Sequence, residues 1–360
     1  MISIIDRYIG KSFVFYFVAG LSVFVTLFVA IDFLTSTARF SAELKVFAEY
    51  YAYYSFEMLF QLIPVACLLA TLFTLGTIHK NSEMVAMFSM GLSLLRISLP
   101  ILVIVSGVSL VSFFASNELM TKAVDKRNYI YYTVLKNKPL LYSNSRQENI
   151  WYRSGQNIFN ISLLNAKEAK AFKITLYTFS SDWMLQQILV AQEALLGEGR
   201  WTLRNGTVTV FFDEDSAPIT EKFEKKDLEV GENVIDIKTS SKASAQMGVR
   251  ELRRYIERNK EAGLNTVPFE VDYYSKFSYV FTTLVMVLLG ISFATSGSNR
   301  SGGVLMNLQK CVVLTLFYWG LYNSGLTLGR HGSLPPIIAA WGPNILMILF
   351  ASTIIWRQKR

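Results

Sequence analysis

The residue types that most often carry catalysis or bind metals are scarce in this chain of 360 residues. It has two histidines, His79 and His331, and two cysteines, Cys67 and Cys311. Each cysteine lies within a long apolar run, where a thiol behaves as a small hydrophobic group. These few side chains provide neither a zinc site nor a disulfide framework. We therefore predict no catalytic residue, no metal site and no cofactor.

Nucleotide chemistry is not indicated either. The sequence contains no Gly-x-x-x-x-Gly-Lys-Ser/Thr segment, so no P-loop can hold nucleotide phosphates. The acidic runs at residues 213–215 and 221–232 are typical of solvated loops. If ATP drives this protein, we expect a separate subunit to hydrolyse it.

Most of the chain is apolar enough to lie in a membrane. Hydrophobic residues make up 52% of it and the mean hydropathy is +0.33, which is too high for a soluble protein of this length. A bilayer core of about 30 Å needs about 20 helical residues. Six charge-free runs reach this length, at residues 12–31, 58–78, 97–117, 277–299, 311–329 and 332–356.

The flanking charges predict the orientation of these six helices. Lys and Arg are retained on the cytoplasmic side of short membrane loops. Basic residues lie before the first run, in the second and fourth connections and after the last run; they are Arg7, Lys11, His79, Lys80, Arg96, Arg300, Lys310, Arg357, Lys359 and Arg360. Both termini are therefore expected in the cytoplasm of a bacterial cell, with the protein in the inner membrane and the long insert in the periplasm.

The insert between the third and fourth runs changes from helical to alternating periodicity. Residues 149–153, 172–179 and 207–212 are typical of strands, and residues 183–191 form a less regular one. Asn205-Gly206 has the composition of a type I′ hairpin turn. A helix is predicted over residues 249–262, ended by Gly263. The expected fold is six transmembrane helices with an inserted all-β domain of sandwich or jellyroll type, divided into residues 1–116, 117–275 and 276–360.

The second connection contains a short amphiphilic segment at residues 82–91. Ser82 is a candidate N-cap, Glu83 suits the first helical turn and Gly91 suits the position after the helix. The apolar residues Met84, Met87 and Phe88 could fill a groove on another protein. The alternative is a helix that only lies among lipid headgroups, and spacing alone leaves both open.

This segment and both ends of the chain resemble a known family. Residues 6–11, 82–91, 334–336 and 340–344 are similar to the LptF/LptG (YjgP/YjgQ) permeases of the lipopolysaccharide export ABC transporter, and residues 6–11 are more similar to LptG than to LptF. The resemblance implies a heterodimer with an LptF-like paralogous permease, an LptB-like ATPase dimer, an LptC-like partner and a periplasmic β-jellyroll. It implies coupling to the ATPase through Ser82, Glu83, Met84, Met87, Phe88 and Gly91.

Lipopolysaccharide carries acyl chains and phosphates, so its chamber needs apolar walls and cations at the outer rim. The candidates are Phe24, Phe28, Arg39, Phe317, Tyr318, Leu321 and Arg330. Family members can carry a lysine near the outer end of the first helix, where this chain has Asp32. Two other classes stay open: a membrane scaffold, and a mechanotransmission protein driven by a separate ATPase. The latter usually places its large insert after the first helix, whereas three helices precede this insert.

Overall fold

The computed structural model describes residues 4–40, 42–137, 150–165, 170–197, 200–211, 217–229, 244–261, 263, 265–294 and 303–358. The chain forms two compact units. The helical unit comprises Met1–Arg127 and Val267–Arg360, and the insert unit comprises Asn128–Thr266.

The helices are, in chain order, α1 (Ile4–Thr37), α2 (Leu44–Lys80), α3 (Glu83–Ser89), α4 (Leu94–Ala115), α5 (Thr121–Tyr129), α6 (Val249–Glu261), α7 (Val267–Ala294), α8 (Gly303–Arg330) and α9 (Pro336–Gln358). The π-helical turn Ser116–Met120 joins α4 to α5, and a second one, Ile130–Leu135, extends α5, so that Leu94–Leu135 is one continuous helix. Six helices are long and apolar enough to cross a membrane, in the part of the chain described here. This confirms the predicted number of spans.

The helical unit is organised around α7. Its residues Val285, Met286, Val287 and Leu289 are buried in a core shared with α2, α8 and α9. Close approach of α8 and α9 depends on glycine, since a Cβ on Gly325 would lie 2.9 Å from the Ala339 carbonyl oxygen. We call the end of the bundle at α3 the α3 end, and the end where α1 connects to α2 the far end.

A buried polar network crosses this core. The Tyr318 hydroxyl lies 2.6 Å from Thr282 Oγ1 and donates to Asn344 Oδ1 at 2.6 Å. Asn344 Nδ2 donates to the Ser278 carbonyl oxygen at 2.8 Å, and the Tyr322 hydroxyl lies 3.0 Å from Ser278 Oγ. Because buried polar groups need partners, this network fixes how α8 and α9 pack on α7.

The insert unit contains an antiparallel sheet of six strands, which confirms its all-β character. The strands are β1 (Ile150–Ser154), β2 (Asn157–Asn165), β3 (Lys170–Phe179), β4 (Leu185–Leu196), β5 (Arg200–Val210) and β6 (Ile219–Glu229). They lie side by side in chain order, so the described strands form a meander without the crossovers that a jellyroll adds. One face buries Phe159, Ile161, Ile174, Leu189 and Trp201 almost completely.

The predicted hairpin turn at Asn205-Gly206 is wrong. Both residues lie inside β5, which pairs with β4 on one side and β6 on the other. Asn205 does have the positive φ of such a turn, at 50°, but it lies within a continuous strand. A Cβ on Gly206 would lie 2.2 Å from the Val190 carbonyl oxygen and 2.4 Å from the Phe223 ring, so only glycine fits.

Asn205 belongs to a row of irregular residues across the sheet. The register places Lys173 of β3, Gln192 of β4 and Asn205 of β5 side by side, and Lys173 also has a positive φ, of 51°. We call these three residues the kinked row. In a regular strand every second side chain faces the core, but this alternation shifts by one residue at the kinked row. Ala191 and Ala194, three residues apart in β4, are therefore both buried on the core face.

The other predicted elements are reproduced closely. The helix expected over residues 249–262 is α6, and Gly263 follows it with a φ of +72°. Pro268 lies in the first turn of α7, where a missing N–H costs no helical hydrogen bond. The strand expected from Trp183 begins at Leu185, because Trp183 has a φ of 62° in the preceding turn.

Candidate functional site

The α3 end of the bundle carries the short helix predicted from sequence. Gly91 follows α3 with a φ of +82°, as expected. The Gly91 N–H donates to the Phe88 carbonyl oxygen and the Leu92 N–H to that of Met87, which is a Schellman motif. The prediction of Ser82 as a side-chain cap is wrong, since Ser82 adopts a φ of 61° and its side chain makes no capping bond.

The side chains of α3 divide into two sets. Met84 and Met87 are buried in the core of the helical unit, with 0% and 7% of their surface exposed. They therefore anchor α3 to its own chain, and the expectation that they fill a groove on a partner is not compatible with this packing. Phe88 is 44% exposed, as are Val85 at 54% and Met90 at 64%. These three, which we call the α3 surface, form the apolar area that remains accessible.

Glu83 is held by side chains from two other elements. Its Oε2 accepts a hydrogen bond from the Tyr8 hydroxyl at 3.0 Å, and its Oε1 accepts one from Asn81 Nδ2 at 3.3 Å. Tyr8 lies in α1, so the first residue of α3 is tied directly to the beginning of the first membrane helix. Each carboxylate oxygen keeps room for a further donor.

A second contact ties the same end of α1 to α4. Arg96 donates to both carboxylate oxygens of Asp6, at 2.6 and 3.0 Å. A bidentate arginine–carboxylate pair fixes orientation as well as distance. Together with the bond between Tyr8 and Glu83, it makes the start of α1 a common attachment point for α3 and α4.

The family of this chain follows from its similarity to known proteins. Residues 7–357 match the family model described as lipopolysaccharide export system permease LptF/LptG. The chain belongs to the LptF/LptG family. LptG of Haemophilus influenzae is 25% identical to it over 381 aligned residues, with 100% of both chains covered. LptG of Escherichia coli K12 is 22% identical over 377 residues, with 99% of both covered.

This LptF/LptG-family chain leaves much of its first membrane helix uncovered. The most apolar stretch of α1 contains no buried residue, whereas 61% of the corresponding stretch of α7 is buried. Phe28 on α1 is 44% exposed and Phe317 on α8 is 56% exposed. Phe24 and Leu321 are partly exposed. These four predicted wall residues are available to a lipid or to a second subunit.

Tyr318 is a correction to the predicted wall. It is fully buried, because its hydroxyl joins the polar network with Thr282 and Asn344. Neighbouring residues of a helix point about 100° apart, so Phe317 faces outward while Tyr318 faces the core. Tyr318 can position the wall but cannot line it.

The predicted rim residues differ in their surroundings at the far end. Arg330 forms an ion pair with Asp272 at 2.7 Å and also donates through Nε at 2.9 Å. Arg39 is exposed in the segment between α1 and α2. The guanidinium of Arg330 is therefore paired with a carboxylate of its own chain, whereas the guanidinium of Arg39 forms no ion pair in the described part.

Sequence reasoning missed two contacts of charged side chains at the far end. Glu57 of α2 pairs with Arg127 of α5 and accepts a bond from Gln61 at 3.2 Å, and both charged side chains are largely buried. Lys126 lies over the Tyr53 ring, 5.7 Å from its centre. An acid at the edge of an apolar run, such as Glu57, indicates that a cationic partner is needed. The sequence does not identify this partner, because it lies 70 residues away.

Proposed function

We propose that this chain is the LptG-type permease subunit of a transporter that extracts lipopolysaccharide from the bacterial inner membrane. The observation that carries the proposal is the family match over residues 7–357 in a chain with six membrane-length helices and an all-β insert. Full-length similarity to two LptG proteins favours this subunit over its paralogue. The same match favours a permease over a scaffold or a mechanotransmission protein.

In this proposal the α3 surface receives a separate, LptB-like ATPase. Val85, Phe88 and Met90 offer apolar contact, and Glu83 beside them offers a carboxylate with fixed orientation. Force applied to α3 passes to α1 through Tyr8, and to the core through Met84. The chain itself performs no chemistry, and its α3 end lies in the cytoplasm with both termini.

The lipid is proposed to enter along the uncovered faces of α1 and α8. An LptF-like paralogue would close these faces into a chamber, with Phe24, Phe28, Phe317 and Leu321 among its walls and Arg39 at its rim. The absence of buried residues from the apolar stretch of α1 supports this, since a helix without a protein partner on most sides must face lipid or another subunit. The insert would pass the lipid to an LptC-like periplasmic partner.

The test is reconstitution of the full complex. The chain is produced with a paralogous permease and an ATPase from the same bacterium and placed in liposomes containing lipopolysaccharide. ATP-dependent release of lipopolysaccharide to an added periplasmic acceptor is the expected result. ATP hydrolysis by a fully assembled complex with no release, across several lipopolysaccharide preparations, would refute the assigned substrate.

Docking at the α3 surface is tested separately. Replacing Phe88 and Met90 together by Ala should lower the amount of co-purified ATPase about tenfold, since removing two large apolar contacts at an interface typically costs more than 1 kcal/mol. Ser89→Ala is the matched control, because Ser89 lies between them and its hydroxyl, among the described residues, bonds the Ala86 carbonyl oxygen alone. Unchanged ATPase recovery with the double variant would exclude this surface.

A further inference from the structure

An apolar groove of about 510 Å³ lies between α1 and α2 at the far end. Its walls include Val25, Val29 and Phe33 of α1 and Leu44, Phe47 and Tyr51 of α2. Most of the α1 wall belongs to the uninterrupted apolar stretch of a membrane-length helix. In a bilayer such a groove is surrounded by lipid, so hydrocarbon is the material available to fill it.

The polar edge of this groove is a carboxylate. Asp32 Oδ2 accepts hydrogen bonds from the Tyr51 hydroxyl at 2.9 Å and from Ser36 Oγ at 3.4 Å. Tyr51 is also a wall residue, so the carboxylate lies directly beside the groove. Within the described part of the chain, Asp32 forms no ion pair, and the donors to its Oδ2 are two neutral hydroxyls.

Cations are present nearby but are not bound to Asp32. Arg39 lies in the segment that connects the two groove helices, and Lys45 follows the wall residue Leu44. Both are exposed, and neither forms an ion pair in the described part of the chain. The far end thus carries the cations Arg39 and Lys45 and the acids Asp32, Glu43 and Glu49, and among these acids Asp32 bonds a wall residue of the groove. Groups of both signs beside an apolar groove are complementary to a headgroup that carries both signs of charge.

We propose that this groove binds one phospholipid with an ethanolamine headgroup. One acyl chain occupies the groove, the ammonium group pairs with Asp32, and the phosphate faces Lys45, which leaves Arg39 to the rim of the proposed chamber. A glycerol headgroup carries the same phosphate but offers Asp32 only neutral hydroxyls and no positive charge. The inference goes beyond the proposed function and does not rest on it, because it concerns a lipid that stays with the chain rather than one that is exported.

The experiment measures lipid retained by the complete purified complex. The complex in mild detergent is exchanged with phosphatidylethanolamine, phosphatidylglycerol or lipopolysaccharide, and bound lipid is counted by native mass spectrometry. We expect phosphatidylethanolamine to be retained about tenfold more strongly than phosphatidylglycerol, which corresponds to one charge-assisted hydrogen bond. Equal retention of the two phospholipids, or displacement of phosphatidylethanolamine by lipopolysaccharide at equal concentration, overturns the proposal.

Variants locate the site. Asp32→Asn keeps an acceptor for Tyr51 but removes the charge, and should abolish the tenfold preference. Ala48→Phe places a ring in the groove, where Ala48 is a wall residue, and should remove the bound lipid. Glu49→Gln is the control, since Glu49 is an exposed acid of α2 outside the groove walls. An unchanged preference in Asp32→Asn refutes the assignment; if that variant fails to assemble, the wild-type exchange and Ala48→Phe still decide it.

Discussion

The buried network at Tyr318 allows one prediction to be worked through in detail. Tyr318→Phe removes only the hydroxyl, which leaves Asn344 Oδ1 without its donor in a fully buried site. An unsatisfied buried acceptor costs about 1–3 kcal/mol in proteins generally. Interhelical hydrogen bonds in membranes average about 0.6 kcal/mol and reach about 1.7 kcal/mol. We therefore expect a loss of about 1–2 kcal/mol in the free energy of unfolding.

The measurement is reversible unfolding of the purified chain in mixed micelles. A double-mutant cycle of Tyr318→Phe with Asn344→Leu should show a coupling energy of about 1 kcal/mol. The reason is that Tyr318→Phe leaves the Asn344 side-chain oxygen without its donor, and Asn344→Leu removes that oxygen. Tyr16→Phe is the control, since its hydroxyl lies 3.5 Å from Thr77 Oγ1 at an exposed site, and it should change stability by less than about 0.5 kcal/mol. Losses that add within about 0.5 kcal/mol in the double variant would show that the network does not act as a unit.

Three further predictions concern single positions. Gly206→Val should unfold the insert, measured as rapid protease cleavage within it, because the added atoms meet a backbone oxygen at 2.2 Å, while Gly155→Asn, at a positive φ with open space around it, should leave cleavage unchanged. Arg127→Met should lower the free energy of unfolding by about 2 kcal/mol in the same micelle assay, because it leaves the Glu57 carboxylate without its ion-pair partner. Adding Glu57→Gln should recover most of this loss. Gly91→Val should cost about 1 kcal/mol and speed hydrogen exchange of the α3 amides, since its φ of +82° is strained for a branched residue; unchanged exchange would show that the Schellman motif does not hold α3.

The membrane fold was predictable because the bilayer imposes a minimum length on each helix. All six apolar runs correspond to helices, and these extend beyond the runs at one or both ends. Helix α2 has 37 residues and spans about 55 Å, which exceeds the hydrocarbon core. Helix α6 was also predictable, because its end depends on a local signal, the positive φ of Gly263.

The errors arose where a distant contact decides the outcome. Met84 and Met87 are buried by neighbouring helices, and a helix of seven residues is too short for its periodicity to reveal this. Phe317 and Tyr318 are adjacent in sequence, yet only the polar partners on α7 and α9 show which one faces the core. The Asn205-Gly206 pair has the composition of a hairpin turn. Pairing of β5 with β4 on one side and β6 on the other nevertheless keeps both residues inside the strand.

The kinked row has a consequence for how this sheet can change over evolutionary time. Lys173, Gln192 and Asn205 separate two patches of regular pleat that are out of phase by one residue. Deleting one residue at the kinked row from a single strand would restore regular alternation of side chains along that strand. It would also turn half of the strand's apolar side chains from the core face to the solvent. Only a simultaneous change in every crossing strand would preserve the core. The row is therefore expected to be inherited as a block, and relatives should carry the kink in all of these strands or in none.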